Sequence, residues 1–266
     1  MTFLPILSAG SVVPSRDPSW TDELPPPMKR RDARIWHLAY VASKRAMEKA
    51  KPAPRSIICG TALGALDETC KYLDGVFADG FGSPRHFIAS VHNSMAGKLA
   101  LEFKINGPNL TVCDGQNSFA SAAAAVSLLN PDDFPALLVA VDENIELLGR
   151  LLPHLSAPCR QYLREGWTEA AVAFILAAPA EKSPPCLTAA GPAPCNGGEP
   201  QRCIRERMLA TGLDAQAMMP IEATSGSFIQ PAITAYELLA QQSRGDHVIG
   251  SYSPSSGAAA FVCVCI

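Results

Sequence analysis

The chain lacks the features that announce several protein classes. Its 266 residues contain no stretch of some 18 uninterrupted apolar side chains, so no membrane-spanning helix is expected. With a formal charge of −3 there is no basic field to hold nucleic acid or an anionic membrane. The start, Met1-Thr2-Phe3-Leu4-Pro5-Ile6-Leu7, has no basic region and is broken by proline, unlike a signal peptide. The nine cysteines show no CxxC or Cys/His spacing, so no metal is expected. Cys59, Cys113, Cys263 and Cys265 lie in apolar runs and read as reduced core thiols of a cytoplasmic protein.

What is present is a chain with 48% hydrophobic residues, enough for a sizeable core. Residues 1–29 are proline-rich with little periodicity, and Pro25-Pro26-Pro27 is expected to be extended. An amphipathic helix is expected over 32–50, ending near Lys51-Pro52. Buried strands are expected at 56–60, 109–113, 136–141 and 170–176, with helices at 68–77, 96–102 and 118–129. Prolines and glycines between 179 and 202 suggest a linker. Beyond it, helices are expected at 203–210 and 231–241, and strands at 219–223, 247–252 and 258–265. Alternating strands and helices give an α/β layered fold. The division is 1–178, a linker 179–202, and a shortened second half 203–266.

The most informative stretch is Gly107-Pro108-Asn109-Leu110-Thr111-Val112-Cys113-Asp114-Gly115-Gln116-Asn117-Ser118. It reads as a strand, a tight turn and then an alanine-rich helix. A helix N-terminus in such a turn favours a thiolate nucleophile. Gln116 is an uncharged amide that forms no acyl-thioester.

The segment Phe87–Gly97, Ile105–Asn109, Ile57–Gly64, Arg30–Arg34 and Gly166–Leu176 together resemble the β-ketoacyl synthases over residues 30–178. The resemblance implies a thiolase-like duplicated fold with α-β-α-β-α layers. It places Gln116 where the family carries its nucleophilic Cys, as in the chain length factors of type II polyketide synthases, here in a compact form. Decarboxylating loading ketosynthases are similar at this position but keep two histidines. Here Pro220–Phe228 takes one of two registers on the family. One puts Thr224 at the first histidine position; the other puts Glu222 at the family's lysine and Ser227 at the second histidine. Either register removes the imidazoles. Ser251–Gly257 takes the place of the gating loop without its Gly-Phe-Gly-Gly character.

The resemblance therefore implies a non-catalytic subunit without cofactor that pairs with an active ketosynthase and meets the acyl carrier protein through that complex. Asn109, Leu110, Thr111, Val112 and Cys113 are the candidate interface strand. Phe87, Met95 and Phe119, with Gln116, are candidates for the wall of the acyl tunnel. The alternatives are a residual acyltransferase, hydrolase or condensing enzyme using Cys113 or Ser118, and a homodimeric binding protein. Asp142-Glu143-Asn144 reads as a solvated cluster capping the next helix, with metal binding the lesser reading. His92-Asn93 reads as structural, and Arg160, Arg164 and Glu165 as surface charge pairs.

Overall fold

The computed structural model describes residues 1–154, 168–195, 199–213, 221–222, 227–253 and 256–266. Among these residues nine strands join in one hydrogen-bonded series, β3-β2-β4-β5-β1-β6-β9-β8-β7. They are β1 (Leu4–Val12), β2 (Ser56–Gly60), β3 (Asn109–Val112), β4 (Ala136–Asp142), β5 (Ala170–Leu176), β6 (Cys186–Pro194), β7 (Ile221–Glu222), β8 (Asp246–Ser253) and β9 (Ala258–Cys265). The helices among the described residues are α1 (Pro26–Arg31), α2 (Arg34–Met47), α3 (Leu66–Asp79), α4 (Pro84–Ser90), α5 (Ser94–Phe103), α6 (Ser118–Val126), α7 (Glu146–Leu151), α8 (Pro200–Ala210) and α9 (Gln230–Ala240). Among the described residues, no helix is long and apolar enough to cross a membrane.

The strands β2, β4, β5 and β9 are buried along their whole length. Their unbroken apolar runs are what a sheet covered on both faces requires. On one face of the first half, α2 and α5 pack over Ile57, Leu137, Val139 and Ala171. On the other, Phe119, Ala122 and Ala123 of α6 meet Ile58, Leu138 and Phe174. That same cluster takes in Ile233 of α9 and Ile249 and Val262 of the second half. Helices α6 and α9 therefore form a middle layer between the two halves of the sheet. Ile204 and Met208 of α8 close the far side against Val248 and Phe261. The α-β-α-β-α layering that the family resemblance implies is the one observed.

Four expectations need correction. Residues 4–12, within the stretch without visible periodicity, form β1, which joins the two halves by pairing β5 on one edge and β6 on the other. Of Pro25-Pro26-Pro27 only Pro25 is extended; Pro26 and Pro27 open α1, where a missing N–H costs nothing. The 179–202 linker contains β6, paired with β9 from Cys186 to Pro194, and the first residues of α8. The thiols are not all reduced. Cys195, just after β6, and Cys203, in α8, form a disulfide with their Cα atoms 5.7 Å apart. Cys59, Cys263 and Cys265 are buried free thiols, as expected, and Cys186 is another.

Close layering demands small residues where β2 meets α6. A Cβ on Gly60 would lie 2.6 Å from the Ser118 carbonyl oxygen and 3.2 Å from the Ala122 Cβ. Neither backbone has room to move, so Gly60→Val is expected to cost about 3 kcal/mol or more. In a thermal melt that is a fall of about 6 °C or more, and an unchanged melting point would contradict this packing.

Candidate functional site

Strand β3 runs parallel to β2, with Ile57 opposite Asn109 and Gly60 opposite Val112. Its other edge is unpaired among the described residues. The chain leaves β3, turns through a single 3-10 turn at Gly115–Asn117 and enters α6 at Ser118. Gly115 takes a φ of 51° in this turn. Gln116 stands half-buried at the head of α6, between residues that are held tightly.

The fixed points are its neighbours. Asp114 N–H donates to Ser118 Oγ at 2.9 Å, and the Ser118 hydroxyl lies 2.7 Å from the Gly115 carbonyl and 3.0 Å from that of Thr61. Asp114 in turn accepts from Ser121 Oγ at 2.8 Å. Asn117 is fully buried and ties the turn to the second half of the sheet. Its Nδ2 donates to the Ala258 carbonyl at 3.1 Å, and its Oδ1 accepts from Ser251 Oγ at 2.8 Å. A buried amide with both ends satisfied fixes a position strongly. Nothing in the local sequence around Asn117 announced this role, since its partners lie 134 and 141 residues away.

A second group of polar residues sits behind the loop after β2. Asp142, at the end of β4, accepts from Thr61 Oγ1 at 2.8 Å, Ala62 N at 3.0 Å and Leu63 N at 2.9 Å. Burial pushes its carboxyl up to about 6, against the pull of these donors. Glu143 accepts from Ile35 N at 2.9 Å in the first turn of α2, and from the Asp67 N–H in the first turn of α3. Burial, then the nearby Asp67 carboxylate, pushes it up to about 7. Both side chains are buried, so the solvated cluster expected from the sequence is corrected. They face helix N-termini and loop N–H groups that need acceptors. Among the described residues, no cluster of His, Cys, Asp or Glu is arranged to hold a metal.

The candidate residues are not all brought together. Asn109 and Leu110 are exposed on the β3 edge, Thr111 and Val112 half-buried. Asn109 Nδ2 bonds the Ala96 carbonyl of α5 at 3.0 Å. Cys113, expected to point into packing, is exposed, because it follows the outermost strand. Its thiol donates to the Ala62 carbonyl at 3.1 Å. Partial burial, then the carboxylates of Asp142 and Asp114, raise its pKa above the ordinary thiol value, which disfavours a thiolate. Ser118 is fully buried, with its hydroxyl committed to backbone oxygens. Phe119 lies in the α6 core against Phe174, and Met95 in the α2–α5 core on the opposite face of the sheet. They share no cavity wall with each other or with Phe87, which is exposed on α4.

Of the two registers for the second half, Thr224 lies outside the described residues, as do Arg160, Arg164 and Glu165. Only the backbone of Glu222 is described, in β7. Ser227 accepts from Ile229 N at 3.3 Å just before α9. Among the described residues, no imidazole bonds the Gln116 turn. His37 bonds the Met28 carbonyl, His86 pairs with Glu68, and His247 bonds the Ser243 carbonyl. His92 is exposed, with its ring packed against Gly64.

The sequence profile of the β-ketoacyl synthase N-terminal domain matches residues 8–188, more than half of the chain. The chain belongs to the β-ketoacyl synthase family. Its solved relatives include the ishigamide ketosynthase/chain length factor, at a TM-score of 0.77 and 15% identity over 100% of this chain and 99% of that one. A β-ketoacyl synthase from Burkholderia phymatum STM815 matches at 0.69 and 12% identity over 100% of both chains. The ketosynthase ApeO in complex with its chain length factor ApeC from Xenorhabdus doucetiae matches at 0.57 and 20% identity, covering 74% of this chain and 85% of that one. At these identities the likeness is one of fold. No curated protein matches the sequence.

Two outcomes test the geometry. Asn117→Ala leaves the Ser251 hydroxyl and Ala258 carbonyl without their partner and should cost about 2 kcal/mol. Gln116→Ala should stay within about 0.5 kcal/mol of the parent, both read by denaturant unfolding. The two buried carboxyls set a pH dependence. Their folded pKa values are raised, so their contribution is present in full below about pH 4 and is lost as pH rises through about 6 and 7. Melting should fall by several degrees between pH 5 and pH 8, less steeply in Glu143→Gln. The His37 pKa, lowered chiefly by burial, opposes this trend. A parent and variant with the same slope would count against the carboxyl assignment.

Proposed function

We propose that the chain is a non-condensing member of the β-ketoacyl synthase family. It pairs with an active ketosynthase through the free edge of β3 and shapes that partner's acyl tunnel, so setting product length. The observation that carries this reading is Gln116, an amide at the head of α6 in the strand–turn–helix where the family resemblance expects a thiol. An amide forms no thioester, and the neighbouring hydroxyl and thiol are poor substitutes for a nucleophile. Ser118 is sealed in backbone hydrogen bonds, and the Cys113 pKa is raised beside two carboxylates. The same features speak against an acyltransferase using either residue.

An exposed strand edge presents unpaired N–H and C=O groups, which calls for another strand. The relatives described as ketosynthase and chain length factor pairs support an unlike partner. The acyl carrier protein then reaches this subunit through the complex. Of the tunnel candidates, Phe87 is open to a partner, as is Leu110 of the interface strand, whereas Met95 and Phe119 are committed to the core.

The purified chain, incubated with malonyl-loaded carrier protein, should form no acyl adduct by intact mass and release no condensed product. Co-expressed with a ketosynthase from the same source that carries the Cys and both histidines, it should purify as a one-to-one complex. Leu110→Lys should abolish that complex. Phe87→Ala, by removing bulk, should lengthen the product by at least one two-carbon unit. Condensation by the solitary chain at enzymatic rates would end this reading.

A further inference from the structure

The helical hairpin of α3 and α4 is built unlike the rest of the molecule. Glu68 is the one buried side chain on α3, and α4 has none. Glu68 accepts from His86 Nδ1 at 2.7 Å and Lys71 Nζ at 3.1 Å, so the buried contact of the hairpin is polar. Its apolar side chains face outward: Leu73, Phe77, Phe81, Phe87, Ile88 and Val91. Phe77 is 83% exposed, Phe81 69% and Ile88 66%. A helix buries its apolar stripe against something, and among the described residues nothing covers this one.

The hairpin is nevertheless a formed surface. A Cβ on Gly82 would lie 2.2 Å from the Tyr72 ring, so the turn after α3 folds directly onto that ring. Tyr72 also packs at a tilt on Phe87, with centroids 5.3 Å apart. Tyr72 and Phe87 are thus held in place before any partner arrives, and a preformed platform lowers the cost of binding.

Area decides what covers it. Strand β3 has four residues, about 13 Å of edge. A stable interface needs about 800 Å² and 20–30 residues on each side. Four residues supply a fraction of that. The hairpin spans 66–90, packs through α4 on α5, and α5 is bonded to β3 by Asn109. A chain seated on β3 has this apolar face beside it. Asp74 and Asp79, both exposed on α3, oppose an anionic bilayer and suit a basic rim on a protein.

We propose that the α3–α4 hairpin supplies the larger part of the ketosynthase-binding face, with Phe77 and Phe81 as anchors in an apolar recess of that partner. This rests on the function proposed above. The test is the double variant Phe77→Asp/Phe81→Ser, titrated with the same active ketosynthase. Affinity should fall at least 100-fold, as for buried aromatic anchors, while the far-UV circular dichroism melt of the variant alone is kept. Leu128→Ser, at an exposed site beyond the end of α6, should bind like the parent.

If Leu110→Lys abolishes the complex and the double variant does not, the hairpin assignment fails and the proposed function stands. If the parent forms no complex with the ketosynthase, both fail. A parent that dimerises alone and is dissociated by the double variant makes a second copy the occupant. Flotation of the parent, but not the variant, with phosphatidylcholine–phosphatidylglycerol vesicles makes it a lipid surface. Either of these last results overturns the proposal.

Discussion

The whole arrangement depends on one steric constraint: α6 must fit between two halves of a sheet and touch both. Ala120, Ala122 and Ala123 are buried there, and Gly60 leaves room for the Ser118 carbonyl. Close contact on two sides gives a dense interior in which even one methylene is felt. It also fixes the start of the helix, because a helix that cannot shift cannot move its first turn. Asn117 then joins that turn to β8 and β9, so both halves of the chain contribute to the same few residues.

Around this frame, charge is used for positioning. Asp142 and Glu143 lie at the end of a buried strand and satisfy the backbone donors of a loop and of two helix starts. Burying them is expensive, which is why their pKa values rise. Partial burial, then the carboxylates of Asp142 and Asp114, raises the pKa of Cys113 and disfavours a thiolate there. The turn thus presents an amide at 116, a hydroxyl at 118 bonded to backbone oxygens and a thiol at 113 with a raised pKa.

The elements legible in the sequence were those with simple burial. Strands β2, β4, β5 and β9 are continuous apolar runs, and their limits were readable to within a residue or two. Strand β1 was hidden because Pro5, Ser8, Gly10 and Ser11 dilute its apolar pattern, although it lies mid-sheet. Strand β6 was hidden by Gly191, Pro192 and Pro194 in its second part, where a register shift absorbs the irregularity. The turn carrying Gln116 was legible because small residues follow it at once. Its anchoring was not, since hydrogen bonds between residues more than a hundred positions apart leave no local pattern. Asp142 and Glu143 misled for a related reason. Adjacent carboxylates after a strand usually meet water, and only the packing of α2 and α3 shows that these do not.

Position 116 differs from its neighbours in one respect that reaches beyond this molecule. Asn117 and Ser118 are buried and fully bonded, whereas Gln116 is half-buried and forms no side-chain hydrogen bond among the described residues. Exchange there escapes the penalties that police the adjoining sites. Natural variation can therefore trade one reactive group for an inert one at that single place while the architecture is inherited intact.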